Sequence, residues 1–378
     1  LSYSIIDKKV CSHWSQIENV WYLSGKITSA AITVGKIMMR LFSLYSVFTL
    51  FFMLLCAPVF AAHEIKHFRD ITWASPKGFD LTLDIAVPDT KTKSKPVLVI
   101  FHGGGWLLNN KSIMTDLADS IATRTNIITV NVNYRLLSDV NNTTTANELV
   151  EDAMGAVLWV KDNIKGYGGD PDKVAVTGDS AGGHLAAMVT VASRNLDSDG
   201  FDKKPLYFKP TYLPKGVTAE QVAASDGLKI QAAILSYAAF SLVEVAKGGF
   251  ETESNQFWKW ANAKPRGLFG DKINVNDNPE YYEAVSPKHY LVSAKEFSLP
   301  NQFVHVGALD GLTTPAVAKD YVENLKRLSQ PVRFKIHPGK NHGFLDSGCN
   351  DYNKGCFKDL SEPAVTDMIQ FLNDVFKL

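Results

Sequence analysis

Cysteine is scarce in this chain: four residues in 378, at positions 11, 56, 349 and 356. No cysteine or histidine pattern completes a four-ligand set, which argues against a bound metal. Charge of either sign is not in excess, with 39 Lys and Arg against 39 Asp and Glu. No basic stripe recommends nucleic acid as a partner, and no acidic tail suggests a solvating segment. Internal repeats and low-complexity tracts are also missing, so repeat arrays leave the field. What remains is ordinary globular composition, 46% apolar and 21% charged, in a chain long enough for one large α/β core.

A further absence is local. Residues 41–62 carry no charge, and the stretch from Leu41 to Leu55 is strongly apolar. Arg40 precedes it and Ala57-Pro-Val-Phe-Ala-Ala62 follows, the three parts of a secretory signal peptide. With Val59 and Ala61 as the small residues before the cut, cleavage is expected after Ala61. The first methionine is Met38, so 38–61 is read as the signal peptide and 1–37 as a mistranslated or non-native leader. Residues 62–378 are then the catalytic domain, secreted or periplasmic. The competing reading is a membrane anchor, since a span needs ~20 apolar residues. A lipid-anchored Cys56 is disfavoured by the bulky Leu55. Removing the leader takes Cys11 and Cys56 with it. In an oxidising compartment Cys349 and Cys356 are expected to form one disulfide, with two free thiols as the alternative.

Apolar residues at 79, 81, 83, 85 and 87 alternate as in a half-buried strand ended by Pro88. Pro96-Val-Leu-Val-Ile-Phe101 is a continuous apolar run, as in a strand buried on both faces. Segments 126–133, 174–177, 232–237, 303–306 and 332–336 also read as strands. Between them, Leu149, Ala153, Ala156, Val157, Val160 and Ile164 share one helical face. Residues 315–328 form a second helix. A third starts from Ser361 as N-cap with Pro363 in its first turn, and turns Val365, Met368, Ile369, Leu372 and Phe376 inward. Strands alternating with helices imply an α/β fold with a mostly parallel central sheet flanked by helices. Two insertions, about 195–228 and 241–290, interrupt the alternation. Such segments form lids or pocket walls, or are structural excursions; the second carries Phe257-Trp258-Lys259-Trp260 and Tyr281-Tyr282.

A serine hydroxyl becomes a nucleophile only when a base takes its proton and a sharp turn lifts it from the backbone. Val174-Ala-Val-Thr-Gly-Asp-Ser-Ala-Gly-Gly-His184 supplies an apolar strand, a Gly-x-Ser-x-Gly turn and a helix start, with Ser180 at the apex. Negative charge on a substrate carbonyl oxygen needs amide donors. Ala181 follows the nucleophile, and Gly103, Gly104 and Gly105 follow a buried strand where glycine allows close approach. The acid and base should follow in the order Asp or Glu, then His. Asp310 lies just after the 303–306 strand, and His342 after the next. His342 would take the proton of Ser180, and Asp310 would hold its imidazole in the right tautomer. His337 is the alternative base and Asp346 the alternative orienter. His305, inside a strand, is read as a packed core histidine, and His184 as packing or capping. Asp179 should point away from the nucleophile.

His102-Gly-Gly-Gly105, Tyr134-Arg-Leu136, Gly178-Asp-Ser-Ala-Gly-Gly183, Ser286-Pro287 and His342-Gly-Phe344 together resemble the bacterial hormone-sensitive-lipase-like carboxylesterases. The resemblance covers about 75–378. It implies the α/β-hydrolase fold, with the insertions in lid or cap positions, and hydrolysis of short-chain esters through an acyl-enzyme without a cofactor. It also implies that Gly104, Gly105 and Ala181 donate to the oxyanion while Gly103 shapes the loop. Leu137-Ser-Asp139 stands where that family has Ala-Pro-Glu, and Asp310-Gly-Leu-Thr-Thr-Pro315 where it has Asp-Pro-Leu. Both changes look similar to the neighbouring feruloyl and acetyl-xylan esterase branch.

The expected function is therefore a serine carboxylesterase acting on short-chain or small aromatic esters, with a small-molecule substrate, no nucleic-acid partner and no stable membrane insertion after cleavage. Behind it stand a feruloyl or acetyl-xylan esterase acting on plant polysaccharide and an arylformamidase-like amide hydrolase. A catalytically silent binding protein on a hydrolase scaffold is the reading from a different class.

Overall fold

The strand β3, Lys95–Phe101, is buried at every position. It has parallel neighbours on both sides, β4 (Ile128–Val132) and β5 (Gly169–Asp179), so neither face nor edge meets water. That placement explains its unbroken apolar run. The computed structural model describes residues 63–378. The expectations for 1–37, for the signal peptide 38–61 and its cleavage after Ala61, and for Cys11 and Cys56 lie outside the described residues.

Five further strands complete the sheet: β1 (Ile65–Ala74), β2 (Leu81–Pro88), β6 (Ala232–Ser236), β7 (Asn301–Gly307) and β8 (Val332–His337). The order is β1-β2-β4-β3-β5-β6-β7-β8. Only the β1–β2 and β2–β4 pairings are antiparallel; from β4 to β8 every pairing is parallel. Parallel neighbours require crossovers, which helices supply. These are α1 (Thr115–Arg124), α2 (Ala146–Asn163), α3 (Ala181–Val191) and α4 (Pro315–Arg327), with α5 (Glu362–Phe376) after the last large strand. The alternation in the sequence thus yields the expected mostly parallel, helix-covered sheet.

Several local expectations shift. The strand β1 went unread because it is an edge strand with mostly solvated side chains and a register break between Phe68 and Ile71, where Asp70 takes φ +54°. In β2, Leu81, Leu83 and Ile85 point inward, but the alternation breaks at Ala86 and leaves Val87 only half-buried. Ser361 stands at the N-cap position of α5 without capping it. Its hydroxyl donates to the Phe357 carbonyl at 2.7 Å, because a helical turn at Phe357–Leu360 leads straight into α5 and offers that carbonyl first.

The two insertions have different fates. Residues 195–228 pack on the far side of α2: a Cβ at Gly155 would lie 2.6 Å from the Tyr212 amide nitrogen, and the Lys209 amide donates to Glu151 at 3.2 Å. A buried Arg135–Asp152 pair, 2.7 Å apart, is joined there by the Thr211 hydroxyl. This insertion is a structural excursion and lines neither cavity beside Ser180. Residues 241–290 instead fold as short helices, Leu242–Lys247, Gln256–Trp260 and Pro279–Ala284, and the first two reach the site.

Candidate active site

At the end of β5 the chain reverses into α3 within one residue. Ser180 takes φ +51° and ψ −117°, a region that a non-glycine residue occupies only when its surroundings impose it. The surroundings do so: the Ser180 amide donates to the Ser236 carbonyl on β6 at 2.9 Å, and the Ser180 carbonyl accepts from the His184 amide at 3.0 Å. Gly182 makes the reversal feasible, since a Cβ there would collide with the Phe101 carbonyl at the end of β3. The outcome is a hydroxyl held at the C-terminal edge of the sheet.

His342 and Asp310 reach the same edge on the loops after β8 and β7. His342 Nε2 is 2.9 Å from Ser180 Oγ, and His342 Nδ1 is 2.8 Å from Asp310 Oδ2. Asp310 is held on both oxygens. Its Oδ1 accepts from the backbone amides of Leu312, at 2.9 Å, and Thr313, at 3.0 Å, while the Thr313 hydroxyl, which donates to the Tyr237 carbonyl at 2.6 Å, lies 3.2 Å from Oδ2. Two amides on Oδ1 leave Oδ2 for the imidazole, so the carboxylate fixes Nδ1 as donor and Nε2 as acceptor. His342 stands over the ring of Tyr237, 4.9 Å between centroids, and its carbonyl accepts from Asn353 at 2.9 Å.

The segment after β3 brings glycine amides to the opposite side of Ser180. Gly104 has φ +125° and Gly105 φ +59°. A Cβ at Gly105 would also meet the Phe257 ring at 2.6 Å, so glycine is required there on two counts. Among the described residues the amides of Gly104, Gly105 and Ala181 have no hydrogen-bond acceptor, which suits an oxyanion site. Behind this loop, Trp106 donates to His184 Nδ1 at 3.1 Å, and His184 Nε2 donates to the Val285 carbonyl at 2.7 Å. Burial pushes His184 down to about 4, so it stays neutral and serves as a strut. His102 stacks on Tyr134 at 4.4 Å, and the Tyr134 hydroxyl donates to the His102 carbonyl at 2.7 Å, joining two of the sequence motifs.

Two cavities meet at Ser180 and His342, and Phe257 and Leu312 border both. The first, about 330 Å³, is apolar, with Trp106, Phe240, Val245, Phe250 and Val317 in its walls. The second, about 340 Å³, is walled by Asp179, Asp346, Trp260 and the loop between the two cysteines. Cys349 and Cys356 pair across a two-strand ribbon and are disulfide-bonded, as expected.

Of the competing residues, His337 does not reach Ser180. It is buried and hydrogen-bonded to His305 at 3.2 Å, while His305 contacts Ser236 at 2.8 Å, a core cluster beneath the site. Asp346 lies near His342 but does not take its Nδ1. Asp179 makes no hydrogen bond to Ser180 among the described residues. Its carboxyl faces the Gly103 amide and the second cavity, because the elbow turns it under the glycine loop. Phe257, singled out in the second insertion, lines both cavities, whereas Thr313, Tyr237 and Asn353 escaped the sequence reading. Only the nearness of Thr313 to Asp310 offered a signal.

Among known proteins, the family model described as BD-FAE matches residues 83–323. A para-nitrobenzyl esterase of Bacillus subtilis is 37% identical over 159 residues, 40% of this chain and 31% of that one. A probable isoprenylcysteine alpha-carbonyl methylesterase of Arabidopsis thaliana is 33% identical over 293 residues, 75% of this chain and 52% of that one. The chain thus spans about a third to a half of these curated relatives' lengths. A truncated carbohydrate esterase from gut microbiota superposes with TM-score 0.59 at 16% identity, over 85% of this chain and 99% of that one. That likeness shows the fold, α/β-hydrolase.

Proposed function

The chain belongs to the BD-FAE family, and on that premise we propose that it is a serine carboxylesterase working through an acyl-enzyme. The observation that carries the reading is the unbroken line Ser180 Oγ–His342 Nε2, 2.9 Å, and His342 Nδ1–Asp310 Oδ2, 2.8 Å, at the junction of two cavities. In this reading His342 takes the Ser180 proton as Oγ attacks the ester carbonyl, and Asp310 balances the imidazolium. Charge on the carbonyl oxygen goes to the amides of Gly104, Gly105 and Ala181. His342 then protonates the departing alcohol, and water attacks the acyl-Ser180 ester by the same steps in reverse.

Short acyl groups fit best. The apolar cavity, about 330 Å³, is at the small end for ligand sites and is bordered by Phe240, Phe250 and Phe257. The test is p-nitrophenyl butyrate hydrolysis by wild type and Ser180→Ala. The variant should lose about 10⁴-fold or more in kcat, and a variant with near-wild-type turnover would remove the proposal.

A second reading, an esterase acting on feruloyl or acetyl groups of plant polysaccharide, is favoured by Trp260 and Tyr352. These large rings are 65% and 59% exposed beside the site, as a stacking surface for a sugar requires. Turnover of methyl ferulate or acetylated xylan above that of p-nitrophenyl butyrate would select it. Export is part of the proposal. It is supported by the leader pattern of 38–61 and by the Cys349–Cys356 disulfide.

A further inference from the structure

The cavity on the Asp346 side of Ser180 has a chemistry that plain ester hydrolysis does not use. Asp179 is 2% exposed, and its Oδ1 has no hydrogen-bond partner among the described residues. Its Oδ2 lies against Gly103, and the Tyr237 hydroxyl is close by. Asp346 stands across from it. Of the amide side chains nearby, Asn353 donates to the His342 carbonyl at 2.9 Å, Asn109 donates to the Gly103 carbonyl at 3.4 Å, and Asn350 accepts from the Asn353 backbone amide at 2.7 Å. No Lys or Arg lines the cavity among the described residues.

Charge follows from this arrangement. Burial, with Asp346 adding repulsion, holds the Asp179 carboxyl well above the usual carboxylate range, so it keeps its proton. Burial pushes Asp346 to about 6, opposed by the nearby His342, so it is ionised at neutral pH. His342 and the phenols of Tyr237, Tyr134 and Tyr352 are the other titratable groups around this pair, and Tyr237 and Tyr134 stay protonated. The cavity therefore holds one partly desolvated negative charge without a resident cation, which is unfavourable until a positive partner arrives. Trp260 and Phe257 offer aromatic faces of the kind that attract cations.

Geometry also says which half of an ester lies here. His342 Nε2 must deliver its proton to the leaving oxygen, and the chain that continues from His342 through Gly343 and Asp346 walls this cavity rather than the apolar one. We propose that this cavity receives the alcohol arm of the ester and selects arms bearing a protonated amine, with Asp346 as the binding charge and Asp179 and Trp260 completing the site. The proposal rests on the esterase reading and extends it to a substrate class.

The test uses three butyrates at pH 7: dimethylaminoethyl butyrate, its uncharged isostere isopentyl butyrate, and glyceryl monobutyrate. The amine ester should exceed the isostere in kcat/KM by about 10-fold, the scale of one charge pair at partial burial. In Asp346→Asn that ratio should fall towards one. Trp260→Ala, at a position 65% exposed and so harmless to folding, should lower it by about 3-fold. A wild-type ratio near one, a ratio unchanged in both variants, or a preference for the glyceryl ester over both others would overturn the proposal. Absence of p-nitrophenyl butyrate hydrolysis would instead remove the esterase reading beneath it.

Discussion

Replacing Asp310 by asparagine exchanges one oxygen for an amide nitrogen and tests how the site sets the imidazole tautomer. Oδ1 of Asp310 accepts two backbone amides, from Leu312 at 2.9 Å and Thr313 at 3.0 Å. An asparagine must place its oxygen there, because its NH2 group cannot face two N–H donors. The NH2 then occupies the Oδ2 position, 2.8 Å from His342 Nδ1, and Nδ1 is forced to accept. Nε2 now carries the hydrogen and points it at Ser180, which loses its base. A base in the wrong tautomer costs about 10⁴-fold in kcat, or about 5.5 kcal/mol of barrier. The assay is p-nitrophenyl butyrate turnover, with circular dichroism and thermal unfolding to show that the fold persists. A folded Asp310→Asn enzyme within 10-fold of wild type would refute the reasoning, as would a larger loss in Asp346→Asn, which would make Asp346 the orienter.

Reduction of Cys349–Cys356, or their joint replacement by serine, reopens a loop of sequence separation seven and should cost about 2 to 3 kcal/mol by the chain-entropy argument, read as a lower Tm. Because Asn353 inside that loop supports the His342 carbonyl, kcat should fall as well; an unchanged Tm and kcat would contradict both points. Trp106→Phe removes the donor to His184 Nδ1 and leaves a buried acceptor unpaired, at a cost of about 1 to 3 kcal/mol in denaturant unfolding. Glu151 carries a pH signature. Burial raises its carboxyl from 4.5 to about 8, so the folded chain holds a proton that the unfolded chain releases, and stability falls as pH rises across that window. Glu151→Gln keeps the acceptor for Lys209 and does not titrate. Its advantage over wild type should grow from pH 5 to 8 to about 1 to 3 kcal/mol, and a pH-independent difference would show that Glu151 ionises normally.

Local rules made much of this molecule legible in its sequence. The unbroken apolar run of β3 and the 3.6-residue spacing of α2 depend only on which faces are buried. The elbow depends on a few neighbouring dihedrals, so Gly178-Asp-Ser-Ala-Gly182 announces it without help from the rest of the chain. The edge strand β1 stayed hidden because its side chains meet water and carry no alternation, and Ser361 misled because a preceding turn offered its hydroxyl a closer partner.

The partners of Ser180 are a different matter. His337 and His342 both follow β8, and Asp310 and Asp346 both neighbour the loops concerned, so sequence order alone left each pair open. Ser180 and His342 are 162 positions apart, and their contact depends on how β5, β7 and β8 stack and where their loops land. The same holds for Phe257, which an insertion carries in to border both cavities, and for Asp179, which the elbow rotates beneath the glycine loop. By itself the sequence determined the strand-to-helix turn at Ser180, the order of the candidate groups and the alternating scaffold, since each is written in short-range sterics and periodic burial. Which acid meets which base, and which cavity is charged, was decided only by tertiary packing, because only packing brings distant side chains within hydrogen-bond reach and sets their exposure to water.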